Sequence, residues 1–216
     1  MSALLWAGVA GPLLFVVLFL RLGATRPNYS PIYTFVSQLS LNGGGWMQIA
    51  NFIGSGLLVL LFGWALSGVV AHWPAAPLGS LAVCAVGVGL IGLGVCVDDP
   101  WLSYPPGAPP GIDGPVSWRG RGHVISGLVV MLGVLTAVLT FAWGFAVKGD
   151  VPLYAYSIVT AILFPVTYVA AVASALASST PGARFAGIAG LIQRVSLIIG
   201  LLWILVLAFR FALFPA

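Results

Sequence analysis

Charged side chains are scarce in this chain, and glutamate is absent altogether. Charged residues make up 6% of the 216 residues and hydrophobic residues 61%, and the acidic residues are all aspartates. A soluble domain is about one quarter charged, so this composition indicates an integral membrane protein. Without glutamate the HExxH motif of zinc proteases cannot occur, and the phosphate-binding P-loop and GxSxG motifs are absent too. The net charge of +4 is small and scattered, so no nucleic-acid partner is expected.

Six apolar segments are each long enough to cross a bilayer, which takes about 20 helical residues. They are residues 2–20, 46–71, 78–97, 124–147, 151–177 and 188–214. We therefore predict an all-α integral membrane protein with a single domain, residues 1–216, folded as a six-helix transmembrane bundle. The first segment lacks a charged n-region, so we expect a retained helix and not a cleaved signal.

The connections between these segments are unequal in length. With six spans, three long polar connections share one side of the membrane: residues 21–45, 98–123 and 178–187. In the first, Ser30-Pro31 is typical of a helix start, and apolar residues follow at helical spacing from Ile32 to Leu39. This pattern predicts a short interfacial amphipathic helix. The second connection has five prolines between Pro105 and Pro115 and is expected to be a Pro-rich capping loop on the same face.

An arginine lies inside the last apolar segment, where a charge is costly. Arg194 is therefore a functional-site hypothesis by default. Its expected partners are Asp98, Asp99 and His123, because the topology places all of them on the side of the long connections. Two interpretations stay open: Arg194 binds a ligand, or it is an internal contact paired with an aspartate and with Gln48 or Asn51.

The other polar residues of the spans also crowd toward the side of the long connections. Gln48, Asn51 and Ser55 follow one another at i, i+3 and i+7 and so form one stripe, and Gln193 precedes Arg194. A channel needs polar lining through its whole depth, and an alternating-access carrier needs it near the midplane. The asymmetry instead predicts a polar cup that is open to one side.

Three residues at the cup are candidates for acid–base chemistry. His123 opens its helix, where the dipole disfavours a proton on the ring, and it is the natural acid or base near neutral pH. Adjacent carboxylates on a helix point about 100° apart, so at most one of Asp98 and Asp99 should face the cup, and we favour Asp98. The alternatives are that His123 makes a structural hydrogen bond and that the aspartates simply end the third span. No ligand spacing indicates a metal, and no cofactor is predicted.

Short motifs that occur in order along nearly the whole chain resemble one bacterial membrane family, called domain of unknown function 998. They are Ala24–Pro31, Val36–Leu39, Gly45–Gln48 with Asn51-Phe52, Asp99-Pro100 with Tyr104–Gly107, Gly122-His123 and Gln193-Arg194. Relatives usually have an aromatic residue and a threonine before Asp-Pro. This chain has Val97-Asp98 there, so the resemblance implies a functional role for Asp99 more than for Asp98.

The resemblance implies a multi-pass protein of the bacterial inner membrane and supplies no activity. It also implies that the face with the long connections is extracytoplasmic, because relatives often carry basic N-termini. The excess of arginine on that face predicts the opposite orientation by the positive-inside rule, and both remain open.

We predict a cup for an amphiphilic, isoprenoid-like or polyketide-like small molecule, with membrane lipid around it. The predicted activity is acid–base catalysis of a cyclisation, isomerisation or hydrolysis by His123 with Asp98 or Asp99. The alternatives are a non-catalytic lipid or metabolite binding or export accessory protein, and a polar cluster with a purely structural role. The predicted ligand-binding residues are Arg26, Tyr29, Gln48, Asn51, Gln193 and Arg194.

Overall fold

The computed structural model describes residues 2–74 and 76–214, which form seven α-helices and one short 3-10 helix. The α-helices are α1 (Ser2–Leu5), α2 (Ala7–Thr25), α3 (Trp46–Val69), α4 (Ala76–Val95), α5 (Trp118–Lys148), α6 (Val151–Ala177) and α7 (Ala189–Leu213). The 3-10 helix is Val36–Ser40. Six helical segments are long and apolar enough to cross a membrane, the first of them running through α1 and α2. The predicted all-α, six-helix transmembrane bundle is confirmed.

Two helix ends differ from the predicted spans at the place where the candidate site lies. α4 ends at Val95, before the aspartates. α5 begins at Trp118, six residues earlier than predicted, because the Ser117 hydroxyl caps it by accepting a hydrogen bond from the Gly120 N–H at 3.0 Å. This added first turn brings His123 well inside the helix.

The six long helices pack in a closed ring. Each contacts its neighbours along the chain, and α7 also contacts α2. Glycines allow the closest approach, between α3 and α4: a Cβ atom on Gly56 would lie 2.7 Å from the Gly87 carbonyl oxygen, and the reverse distance is the same. The two backbones therefore touch directly, which agrees with the close packing that small residues permit in membranes.

The long connections meet at one end of the ring. The Tyr33 hydroxyl donates to the Pro110 carbonyl, the Thr34 hydroxyl to the Leu102 carbonyl at 3.4 Å, and the Gly190 N–H to the Tyr33 carbonyl at 3.2 Å. Trp101, Leu102 and Tyr104 are buried beneath the proline-rich segment. The capping loop is thus folded over the bundle as predicted.

The segment predicted as an amphipathic helix has a different structure. Pro31 lies in a turn, and the only helix of this segment is the 3-10 helix from Val36, all five residues of which are buried. The side chains of Ser37 and Gln38 hydrogen-bond to Asp98, and the Val36 N–H donates to the Gln193 side chain. These polar groups are buried because they have partners inside the protein. The segment packs inside the cap and does not lie along the membrane surface.

The two ends of the bundle carry different charges. Four arginines are exposed at the end with the long connections: Arg21, Arg119, Arg121 and Arg184. At the opposite end Lys148 is exposed, and Arg210 lies 3.7 Å from the Asp150 carboxylate. The excess of exposed positive charge is therefore on the capped end.

Candidate functional site

A cavity of about 380 Å³ lies beneath the cap between α5, α6 and α7. At the capped end its polar lining comes from the cap and from the first two turns of α5 and α7: Ser37, Asp98, Asp99, His123 and Gln193. Ser196 and Tyr168 are further polar residues of the lining. Deeper lining residues are mostly apolar, among them Leu93, Val130, Ala171, Val172 and Leu197. The cavity is therefore polar at its capped end and mostly apolar over the rest of its depth.

The Asp98 carboxylate is held by three donors. Its Oδ2 atom accepts hydrogen bonds from the Ser37 hydroxyl and the Gln38 side-chain amide, both at 2.8 Å, and its Oδ1 atom accepts from the Asp99 N–H at 3.0 Å. The fully buried Gln38 amide also donates to the Asp99 carbonyl at 2.9 Å and accepts from the Trp101 N–H at 2.9 Å. These bonds fix the carboxylate at the cavity. Ser37 and Gln38 were not predicted as site residues, although both lie within a motif of the resemblance.

His123 has one ring nitrogen engaged and one free for chemistry. The Nδ1 atom lies 2.7 Å from the Cys96 carbonyl oxygen, which can only accept, so Nδ1 carries a hydrogen. The Nε2 atom lies 3.8 Å from Asp98 Oδ2, and each side chain is 9% exposed. This distance is too long for a hydrogen bond but close enough for an ion pair once Nε2 is protonated. Nε2 can therefore accept or release a proton beside a carboxylate, at the cavity.

The Asp99 side chain contacts the start of α5. Its Oδ2 atom accepts a hydrogen bond from the Ser117 N–H at 2.8 Å, and a Cβ atom on Gly120 would lie only 1.9 Å from that oxygen. A carboxylate here interacts favourably with the helix dipole. The expectation that one aspartate at most faces the cup assumed a helix at these positions. It is wrong, because α4 has already ended and both aspartates line the cavity.

Arg194 is buried and bonded to the backbone. Its Nη1 atom donates to the carbonyls of Pro31 at 2.6 Å, Thr34 at 3.0 Å and Gly190 at 2.9 Å. Its Nη2 atom donates to the Tyr29 hydroxyl, and the guanidinium carbon lies 5.5 Å from the centre of the Tyr29 ring.

The predicted pairing of Arg194 with Asp98, Asp99 or His123 is wrong. Among the described residues the ion pairs are those of His123 with Asp98 and Arg210 with Asp150. The physical reason is that residues 29–34 fold across the start of α7 and present carbonyl oxygens to the guanidinium. Arg194 thus joins the first long connection to α7.

Tyr29 remains a hydroxyl donor in this arrangement. Burial raises its pKa from 10.0 to about 12, while the positive charge of Arg194 acts in the opposite direction. The hydroxyl lies 3.1 Å from the Thr34 carbonyl and 3.0 Å from the Phe35 carbonyl, and it donates to these oxygens.

The other predicted ligand-binding residues bond within the chain. Arg26 donates to the Gly44 carbonyl at 2.8 Å. Asn51 bonds to the Gln48 side chain at 3.3 Å and to the Phe15 carbonyl at 3.1 Å. Gln193 lines the cavity, with its side-chain oxygen accepting from the Val36 N–H at 2.7 Å. The remaining five are not among the lining residues: Arg26, Tyr29, Gln48, Asn51 and Arg194.

Six apolar helices and a cavity that is polar at its capped end define a multi-pass membrane protein with a candidate site beneath the cap. A family model described as "Protein of unknown function (DUF998)" matches residues 9–210, so the chain belongs to this family. No curated protein and no solved structure matches the chain. The resemblance noted in the sequence is confirmed, and the activity has to be argued from the geometry of the cavity.

Proposed function

We propose that this protein binds an amphiphilic or isoprenoid-like small molecule in the cavity and that His123, with Asp98, performs an acid–base reaction on its polar end. The observation that carries the proposal is the position of His123 Nε2, which lies 3.8 Å from Asp98 Oδ2 at the polar end of an apolar cavity. The proposed location is the bacterial inner membrane that the resemblance implies.

The shape and lining of the cavity support an amphiphilic ligand. Its volume is within the range of roughly 300–1,000 Å³ that is typical of small-molecule sites. Val124 lines the cavity and is 64% exposed on α5, a membrane-spanning helix. This position on α5 is where we propose that a ligand enters from the bilayer, with its polar end toward the cap.

The hydrogen bonds around His123 support proton transfer at one atom. Because the Cys96 carbonyl holds the Nδ1 hydrogen, Nε2 is the atom that takes a proton from a substrate hydroxyl or an acidic C–H group. The imidazolium that forms is stabilised by the nearby Asp98 carboxylate, whose position Ser37 and Gln38 fix. Returning this proton to another atom of the substrate completes an isomerisation or a cyclisation. In a hydrolysis Nε2 instead takes the proton from a water molecule whose oxygen bonds to the substrate, and gives it to the leaving group as the bond to that group breaks.

The second candidate is a non-catalytic protein that binds a lipid or metabolite or assists its export. One observation favours it: Asp98 already accepts three hydrogen bonds within the chain, as a purely structural carboxylate would. In this case the polar end of the ligand is bound by His123 without reaction.

One comparison separates the two candidates. The wild type, His123→Gln, Gly127→Leu and a control, Tyr154→Phe, are purified in one detergent, checked for folding, and analysed with host extracts by mass spectrometry. Tyr154 is 40% exposed and outside the cavity lining, so its variant should behave like the wild type. We expect Gly127→Leu, which fills the cavity, to lose a co-purified small molecule that the wild type retains.

Catalysis predicts that His123→Gln keeps the bound molecule, while the host extract loses a product and gains its precursor. An extract that matches the wild type contradicts catalysis and supports the binding protein. If no molecule distinguishes the wild type from Gly127→Leu, the cavity binds no ligand in this host and both candidates fail.

A further inference from the structure

Tyr168 is a polar residue of the cavity that the proposed reaction does not use. It lies in the middle of α6, nine residues before the end of the helix at Ala177, and lines the apolar part of the cavity. Within residues 2–74 and 76–214 its hydroxyl group makes no hydrogen bond. A hydroxyl at membrane depth without a partner costs free energy, because the hydrocarbon core supplies no water.

The position of this hydroxyl follows from its distance to Gly127 on α5. A Cβ atom built on Gly127 would lie 3.5 Å from the Tyr168 hydroxyl oxygen and 3.9 Å from a methyl carbon of Leu93. Gly127 follows His123 by four residues, which is one helical turn and about 6 Å along the axis. The Tyr168 hydroxyl therefore lies about one turn deeper in the membrane than the imidazole of His123.

Gly127 also leaves space at this level. Because it has no side chain, the cavity extends past α5 toward Tyr168, and both residues are among its lining. A ligand whose polar end is at His123 thus reaches the level of the Tyr168 hydroxyl after about five carbon–carbon bonds, at about 1.3 Å of extended chain per bond.

We propose that Tyr168 is a second polar contact of the cavity and selects amphiphiles that carry an oxygen on the carbon about five carbon–carbon bonds from the carbon of their polar end. The inference rests on the proposed function for the placement of that polar end at His123 and Asp98. It narrows the ligand class from any amphiphile to one with a second oxygen at a defined depth.

The test compares two isomeric probes in a scintillation proximity assay, in which they displace tritiated 1-hexadecanol from the immobilised full-length protein. The probes, 1,6-hexadecanediol and 1,12-hexadecanediol, have the same composition, so their partition into detergent is closely matched. A single neutral hydrogen bond contributes roughly fivefold in affinity. We expect the wild type to prefer the 1,6-diol by about this factor, and Tyr168→Phe to lose the preference while it still binds 1-hexadecanol.

Tyr154→Phe serves as the matched control, because it removes an exposed hydroxyl near the other end of the same helix. It should keep the wild-type preference. A wild type without preference, or a preference that persists in Tyr168→Phe, overturns the second contact. If 1-hexadecanol still binds in that case and His123→Ala weakens its binding, the proposed function stands. If the wild type binds no displaceable 1-hexadecanol, both proposals are overturned.

Discussion

Replacing Arg194 with methionine removes the guanidinium that joins α7 to residues 29–34 but keeps a long apolar side chain. The Pro31 carbonyl, on an exposed residue, then loses its one partner among the described residues, which costs about 1 kcal/mol. The bonds to the Thr34 carbonyl and the Tyr29 hydroxyl are lost too, at about 1 kcal/mol each, whereas Gly190 keeps its place in the α7 backbone ladder. We expect a loss of about 3 kcal/mol, or roughly 6–12 °C in Tm for a chain of this size.

The matched control is Arg210→Met in the last turn of the same helix. Arg210 is paired with Asp150 at 3.7 Å, but the two side chains are 27% and 28% exposed, and such pairs contribute about 0–1 kcal/mol. Thermal unfolding followed by circular dichroism gives Tm, and hydrogen exchange of residues 29–41 reports the first long connection directly. If Arg194→Met melts within about 2 °C of the wild type and this segment exchanges at the wild-type rate, Arg194 does not hold it.

Three further predictions concern other parts of the molecule. Because the pKa of Tyr29 is raised from 10.0 to about 12, the folded state keeps a proton that the unfolded chain loses. The contribution of Tyr29 to the free energy of unfolding should therefore be constant below about pH 10 and fall by about 2–3 kcal/mol by pH 12, so the wild type should lose this much more stability over that range than Tyr29→Phe does. Gly127→Leu should abolish displaceable binding of 1-hexadecanol, whereas Gly127→Ala should retain it, because its Cβ atom meets ordinary contacts at 3.5 and 3.9 Å. The exposed arginines predict that the capped end is cytoplasmic. A Ser103→Cys variant in which Cys84 and Cys96 are replaced should then react with a membrane-impermeant maleimide only after the cells are permeabilised. Labelling in intact cells would show the opposite orientation.

The membrane spans were predictable because each is a long apolar run, but two of their ends were not. Hydropathy placed the start of α5 near residue 124, since Arg119 and Arg121 interrupt the apolar run. The helix begins at Trp118 because the Ser117 hydroxyl caps it. Capping depends on one side chain and its backbone geometry, which an average over hydropathy does not detect.

The candidate site was predictable as a set of residues and not as a set of contacts. His123, Asp98 and Asp99 do line one cavity, because helix ends that share a membrane face meet there. The bonds that decide their roles join distant positions: Gln38 bonds to Asp98 across 60 residues, and Arg194 bonds to Pro31 across 163. Local spacing carries no information about such pairs, so it predicted an amphipathic helix where the chain forms a buried 3-10 helix.

The polar groups around the cap are of two kinds: some have hydrogen-bond partners within the chain and others do not. Arg194 and Asn51 find donors and acceptors within the bundle, which is what a structural role requires. Among residues 2–74 and 76–214, the buried side-chain atoms that lack partners lie outside the cavity lining and belong to Ser40, Gln48, Ser80 and Ser179. Among the groups on the cavity that make no hydrogen bond within the described residues, the Nε2 atom of His123 and the hydroxyl of Tyr168 lie about one turn apart in depth, on facing helices. Because the bilayer offers no hydrogen-bond partner, a molecule inside the cavity is the natural source of both missing contacts. The structural and the ligand-binding interpretations therefore apply to different residues, and support for one does not weaken the other.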